Sequence, residues 1–189
     1  CVNYTKADGT AVVAAAGGAW TLIGTNVIST VSTVTQTGLD STYDTYAIVI
    51  SDLLYGSDGY HVYFRVGDSG GIDSGASDYS WHMAKTTIAS GNTYVGTGST
   101  EAFIRIGSDV GNSTGEGFSC VMFLGRPGDG TTMPIFHGTH VSSNTSGAPQ
   151  GGAIYCSRNA VITLDRVQLL AQSGNFTSGR MSVYGISHS

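Results

Sequence analysis

The sequence contains little charge for its length. Of its 189 residues, only 11% are Asp, Glu, Lys or Arg, which is about half the usual share. The 8 lysines and arginines are scattered and outnumbered by 13 acidic residues. A protein that binds DNA or RNA through its phosphates needs a basic patch, so the composition argues against a nucleic-acid partner.

Long apolar runs are also missing, and cysteines are few. The longest apolar runs, such as YAIVI at 46–50, are too short to cross a membrane. The three cysteines, Cys1, Cys120 and Cys156, form no CxxC pair, which excludes a zinc knuckle or a thioredoxin-type site. Cys120 and Cys156 are predicted to be small buried residues in strands, and a disulfide between them remains an open alternative.

The sequence lacks the common catalytic motifs. It contains no P-loop, GxSxG or Rossmann fingerprint, and its two glutamates, Glu101 and Glu116, lie beside loops rather than as a fixed acid pair. The GDSGG stretch at 67–71 is similar to the nucleophile region of chymotrypsin-like serine proteases, but only His61 precedes it closely. We therefore predict that the chain is not an enzyme and needs no cofactor.

Aspartates and histidines are not spaced for a metal site within one subunit. Asp68, Asp73 and Asp78 lie five apart, which does not match the alternate ligands of an EF-hand loop. We expect them to cap their own turns, with calcium in a β-loop as the alternative. His137 and His140 lie three apart, so a strand would point them to opposite faces.

From Trp20 onward, most segments alternate apolar and polar residues between Gly, Ser, Asn and Asp turns. This pattern predicts about ten short strands and an all-β fold, an antiparallel β-sandwich of jelly-roll type. We expect an N-terminal arm at residues 1–19 and one domain at 20–189. The stretch SGNTYVGTGST at 90–100 is interpreted as a loop. AVITLDRVQLL at 160–170 is interpreted as one of the closing strands, and RVQLLAQS at 166–173 could form one helical turn at most. An uncharged surface rich in hydroxyl groups is typical of extracellular and virion β-proteins.

The alternation also predicts the core. The residues expected inside the sandwich are Ile48, Ile50, Val62, Phe64, Ile104, Val121, Phe123, Ile162 and Leu164.

The region 51–83 concentrates aspartates and aromatic rings around a polar loop. Tyr79 and Trp81 lie two apart, so they share one face of a strand. Exposed aromatic rings bind sugars by stacking on them. The candidate glycan contacts are therefore Tyr79, Trp81, Asp78 and Tyr60. The alternative is that one or both of the paired rings belong to the core.

Several turn-and-strand motifs, taken together, resemble a known family. They are GGAWTLIGT at 17–25, GLDSTYDTYAIVISDLLYGSDGYHVYFRVGDSGGIDSGASDYSW at 38–81, and FTSGRMSVYGI at 176–186. The chain is similar, over about residues 20–186, to tailed-bacteriophage virion structural, tail-fibre-like proteins that are common in marine and cyanobacterial phages. The resemblance implies a fold and a setting, and it carries no catalytic residue.

Two functions are consistent with these observations. The first is a non-enzymatic virion structural protein: a fibre-tip or adhesion domain of a tail or head fibre, or a capsid decoration protein. It would be a homo-oligomer, most simply a trimer, partnered by other virion proteins and by host surface glycans. The alternative is a free carbohydrate-binding module or secreted lectin that acts as a monomer.

Overall fold

A computed structural model describes residues 19–125 and 130–187 of the chain. The described residues form thirteen β-strands and no helix, so the prediction of an all-β chain is confirmed. The predicted arm at 1–19 lies, apart from Ala19, outside the described residues. The strands are β1 (Trp20–Ile28), β2 (Thr33–Thr37), β3 (Thr45–Tyr55), β4 (Tyr60–Asp68), β5 (Gly71–Ile72), β6 (Tyr79–Thr87), β7 (Thr93–Glu101), β8 (Ile104–Val110), β9 (Phe118–Gly125), β10 (Ile135–Ser143), β11 (Pro149–Arg158), β12 (Arg166–Ala171) and β13 (Phe176–Ile186).

The strands form two antiparallel sheets packed as a β-sandwich, as predicted. The larger sheet has eight strands in the order β1-β13-β3-β9-β10-β11-β6-β7. The smaller sheet has five strands, with the order β2-β12-β4 and both β5 and β8 paired with β4. The chain crosses between the sheets repeatedly, because β1, β3, β9 and β13 belong to the larger sheet whereas β2, β4, β8 and β12 belong to the smaller one.

The core lies between the sheets and follows the period of two in each strand. In β3, Tyr46, Ile48 and Ile50 are buried, and in β4 Val62 and Phe64 are buried opposite them. The ring of Phe64 meets that of Phe136, from the larger sheet, edge to face at 5.9 Å, a favoured arrangement of aromatic rings. Six predicted core residues are confirmed as buried: Ile48, Ile50, Val62, Phe64, Ile104 and Leu164.

The prediction was wrong for the face of β9. Phe118, Cys120, Met122 and Leu124 point inward, and Val121 and Phe123 therefore lie on the outer side of the sheet. Because FSCVMFLG is apolar at nearly every position, its pattern does not distinguish the two faces, and a shift of one residue exchanges them.

Ile162 is only partly buried, and it packs against the core from the loop before β12.

One segment has a different secondary structure from the one predicted. Residues interpreted as a loop around 90–100 form β7, which pairs with β6 from Thr86↔Thr93 to Tyr79↔Glu101. The stretch 160–170 does contain a strand, β12, which lies between β2 and β4. Two glycines, Gly96 and Gly98, weaken the strand character of β7, so its conformation depends on the neighbouring strand.

Replacing Phe64 by alanine tests the assignment of the core. Phe64 has no exposed surface, so Phe64→Ala should lower the free energy of unfolding by about 3–5 kcal/mol through lost burial and a residual cavity. Phe123→Ala is the matched control, since Phe123 lies on the outer side of β9 and should lose less than half as much. Urea unfolding of both variants measures the difference, and equal losses would contradict the assignment of faces.

Candidate functional site

Two of the predicted glycan contacts lie inside the protein. Tyr79 and Trp81 do share one face of β6, as predicted, but it is the inner face: Tyr79 is 0% exposed and Trp81 6%. The guanidinium of Arg105 lies over the indole of Trp81, 5.0 Å from the ring centre. A β-carbon on Gly98 would lie 2.6 Å from the indole Nε1, so this glycine makes room for the ring. These two rings therefore do not form an exposed stacking surface.

Tyr79 instead secures the loop that precedes it. Its hydroxyl lies 2.9 Å from the Asp73 carbonyl and accepts a hydrogen bond from the Val66 N–H at 3.0 Å. Burial, the largest effect, raises the pKa of Tyr79, so the hydroxyl remains a donor throughout the neutral range. The Tyr79 hydroxyl thus joins β6 of the larger sheet to β4 of the smaller one.

Asp78 helps to hold the same loop, 69–78, through ion pairs with Arg158. The Arg158 guanidinium bonds to Asp73 at 2.8 Å and to Asp78 at 3.1 Å, and it lies 5.8 Å from the centre of the Tyr79 ring. The second carboxylate oxygen of Asp78 accepts the Gly75 N–H at 2.6 Å. Both carboxylates thus hold the 69–78 loop against β11.

Tyr60 is not part of this group. It opens β4, half-buried, with its ring 5.9 Å from that of Tyr55. Val66, which bonds to Tyr79, lies six residues further along the strand, roughly 20 Å away. The four predicted contacts therefore do not converge on one site.

The aspartates cap turns, as expected. Asp68 accepts the Gly70 N–H at 2.7 Å and Asp78 accepts that of Gly75, while Asp73 is paired with Arg158. Among residues 19–125 and 130–187, no three His, Cys, Asp or Glu side chains are grouped so that they could hold a metal ion. The same residues include no helix with the length and hydropathy needed to cross a bilayer.

His137 and His140 point to opposite faces of β10, as predicted: His137 is exposed and His140 is buried. Cys120 and Cys156 are both buried and free, and the prediction of small interior residues is confirmed. Their strands are separated by β10, where Cys120 pairs with His140 and Cys156 with Phe136. Burial raises the pKa of both thiols, which keeps them protonated.

A buried polar cluster joins the sheets near β8. The Lys85 ammonium donates to the Ser108 carbonyl at 3.1 Å, and the Gln150 amide donates to the same carbonyl at 2.9 Å and to Ser142 Oγ at 3.1 Å. Burial lowers the pKa of Lys85, against an opposing effect of Asp109. These contacts satisfy polar groups inside the sandwich, so we assign the cluster a structural role.

The surface that sequence reasoning missed is a lateral row of rings on the outer side of the larger sheet. We call it the aromatic row, and its members are His82, Tyr155, His137, Phe123, Trp20 and Tyr184. Tyr155 pairs across the strands with His82 on one side and His137 on the other, and His137 pairs with Phe123.

The rings of the aromatic row form two groups of contacting rings, and the strand pairing of Tyr155 with His137 joins the two groups. The Phe123 and His137 rings stack at 5.6 Å, and those of His82 and Tyr155 lie 6.0 Å apart. The Trp20 ring contacts Phe123 at 5.9 Å and Tyr184 at 5.8 Å. In sequence the six residues are spread from 20 to 184, and only the register of the sheet brings them together.

Tyr155 stands between two shallow hollows. The first, of about 450 Å³, is lined by Ser80, His82, Ile135, Ser157 and the edge of Trp81. The second, of about 240 Å³, is lined by Val121, Phe123, His137, Thr139 and Ala153. Tyr155 is 56% exposed, so its ring is available to an incoming surface in a way that Tyr79 and Trp81 are not.

The chain matches no protein-family model and no curated protein. Its function is therefore argued from the arrangement of these residues.

The role of Tyr79 can be tested by removing one oxygen. Tyr79→Phe leaves the Val66 N–H without its acceptor in a buried site, so we expect a loss of about 1–3 kcal/mol in the free energy of unfolding. Tyr43→Phe is the matched control, because the Tyr43 hydroxyl has no hydrogen-bond partner among the described residues, and it should change stability by less than about 0.5 kcal/mol. Chemical denaturation gives both values, and equal effects would refute the role of the hydroxyl.

His61 should make stability depend on pH. Burial lowers its pKa to about 4, and the charges of Arg105 and Lys85 act in the same direction, whereas the ordinary value is about 6.5. The unfolded chain therefore binds the proton first, so stability is complete above about pH 6.5 and is lost as the pH falls towards 4.

Replacing His61 isolates this contribution. In the structure its Nδ1 accepts the Asp109 N–H at 3.3 Å, and an asparagine oxygen can substitute as the acceptor. Between pH 7.5 and 4.5 the wild type should lose roughly 1–2 kcal/mol more stability than His61→Asn. Urea unfolding at both pH values measures this, and parallel pH profiles would exclude His61 as the source.

Proposed function

We propose that this chain is a non-enzymatic structural protein of a tailed-phage particle, which acts as a fibre-tip, adhesion or capsid decoration domain and assembles as a homotrimer. The observation that carries the proposal is that the edge strands of the larger sheet have almost none of the charges or prolines that prevent pairing with another chain. The family resemblance of the turn-and-strand motifs supports the setting, which is the virion, with other virion proteins and host surface glycans as partners.

The edge strands of the larger sheet have little to prevent pairing with another chain. Edge strands of soluble monomers are usually blunted by lysine, proline or inward-pointing charges. Strand β1 contains no charged residue and no proline, and β7 contains Glu101 alone. An assembly in which copies cover each other's edges and faces removes this hazard, and closed symmetry stops its growth.

The strand pairing supports the jelly-roll class. Eight strands pair in a nested series from the outside of the chain inward: β1 with β13, β2 with β12, β3 with β9, and β4 with β8. Members of each pair lie in the same sheet, and successive pairs alternate between the sheets. This is how a jelly roll wraps a ribbon of strands into two sheets, a fold used by viral capsid proteins and lectins.

A free carbohydrate-binding module is the second candidate. It is favoured by the exposed Tyr155 ring between two hollows, since such a ring can stack on a sugar. Binding of the purified protein to a glycan array, abolished by Tyr155→Ala, would support this function. A monomeric state together with such binding would replace the structural proposal.

The mass of the full chain in solution tests the proposal. Light scattering at several concentrations should give about three times the chain mass of 19.5 kDa, because the uncovered edges and faces are buried in the assembly. A monomer at every concentration up to roughly 100 µM would defeat the oligomer claim. Antibody labelling of purified phage particles that encode this chain should place it on the virion, and unlabelled particles would defeat that location.

A further inference from the structure

We infer that the outer side of the eight-stranded sheet is the interface between copies of this chain. The inference rests on the proposed function and deepens it, because it names the surface and the partner. We define the outer face by the side chains that the strands of this sheet turn away from the core. They are Trp20, Leu22, Thr25, Val27, Arg180, Ser182, Tyr184, Ile186, Thr45, Ala47, Val49, Ser51, Ser119, Val121, Phe123, Ile135, His137, Thr139, Val141, Ala153, Tyr155, Ser157, Ser80, His82, Ala84, Thr86, Thr93, Val95, Thr97 and Ser99.

The outer face is almost free of charge. The side chains that define it include no aspartate, glutamate or lysine, and Arg180 at one corner is the one permanently charged residue among them. The exposed carboxylate of Asp52 lies beside Arg180, at the margin of the face. A typical protein surface has about a quarter to a third of its residues charged. Depletion of charge with enrichment of aromatic residues is the composition found at the centre of protein interfaces.

The same surface carries most of the exposed hydrophobic residues. Among the described residues, twelve large hydrophobic side chains are substantially exposed, and seven of these lie on the outer face: Trp20, Leu22, Val27, Val95, Ile135, Val141 and Tyr155. Exposed hydrophobic residues concentrated on one face of a protein indicate an interaction site. The aromatic row runs through it and supplies rigid rings of the kind that dominate interface energies.

The size of the outer face matches what a stable contact between proteins needs. Eight strands at about 4.8 Å make it about 38 Å wide, and four outward residues per strand make it about 20 Å high. The product, roughly 800 Å², equals the area that each partner buries in an interface of standard size. In a three-fold ring, one part of the outer face of each copy packs against a different part of the same face on the next copy, so three copies together can cover this surface.

A glycan fits the outer face less well than a second copy does. Sugars require donors and acceptors for many hydroxyl groups, and the side chains that define the outer face include no carboxylate and no amide. Their polar groups are hydroxyls, the two imidazoles of His82 and His137 and, at the corner, the guanidinium of Arg180. Some hydroxyls already bond to each other, such as Thr25 and Ser182 at 2.9 Å. Threonine and serine hydroxyls of facing sheets can satisfy one another in a closed contact.

A pair of matched substitutions tests the inference on the full chain. Ile135 is 60% exposed on the outer face, and Ile88 is 73% exposed on the turn after β6, outside the residues that define the outer face. Ile135→Lys places an unpaired ammonium in the contact, so it should raise the concentration at which the oligomer dissociates roughly 30-fold or more. Ile88→Lys adds the same charge and should leave that concentration unchanged. Tyr155→Ala should act like Ile135→Lys.

Light scattering and sedimentation over a concentration series give the readout, and thermal melts establish that each variant is folded. Dissociation by Ile135→Lys and Tyr155→Ala, with Ile88→Lys still assembled, supports the inference. If all three variants remain as assembled as the wild type, the outer face is not the interface, while the proposed oligomer stands. If the wild type itself is monomeric up to roughly 100 µM, both proposals fail.

Discussion

The sandwich depends on buried tyrosine hydroxyls that bind the backbone six residues away. Tyr46, Tyr55 and Tyr79 are fully or almost fully buried, and their hydroxyls bond to the backbone of Asp40, His61 and Asp73, respectively. A buried hydroxyl without a partner is costly, so each ring dictates the path of the loop beside it.

At each of these three loops the chain crosses between the sheets: from β2 to β3, from β3 to β4, and from β5 to β6. Burial raises the pKa of Tyr46 to about 12, and it also raises those of Tyr55 and Tyr79, so all three remain donors. The arrangement resembles the tyrosine corner of other β-sandwiches, in which a tyrosine hydroxyl returns to the backbone a few residues upstream. It explains why the motifs GLDSTYDTY, YGSDGYH and GIDSGASDYSW combine turn residues with tyrosine: each motif contains one such loop.

The two sides of the larger sheet serve different purposes. Its inner side packs against the smaller sheet and holds most of the core, with Arg158 and the Lys85 cluster closing the ends. Among the described residues, no other element packs on the outer side of the larger sheet, and this outer side carries the aromatic row. The outer side of such a sheet ordinarily faces water and is polar. Here it carries exposed apolar side chains and rings, which is the physical basis for the assembly that we propose.

The sequence by itself determined the all-β class, the sandwich and part of the core. In β4, for example, Val62 and Phe64 alternate with His61 and Arg65, so the period of two assigns these residues to opposite faces. It also determined that Tyr79 and Trp81 share a face, since alternation is local. Only the tertiary structure decided which face of β6 and which face of β9 points into the core. In a strand that is apolar on both sides, the sequence does not indicate which side is buried. The edge strand β7, the crossing loops and the aromatic row were likewise decided by tertiary structure, since strand register joins residues such as Trp20, Phe123 and Tyr155 that are far apart in the chain.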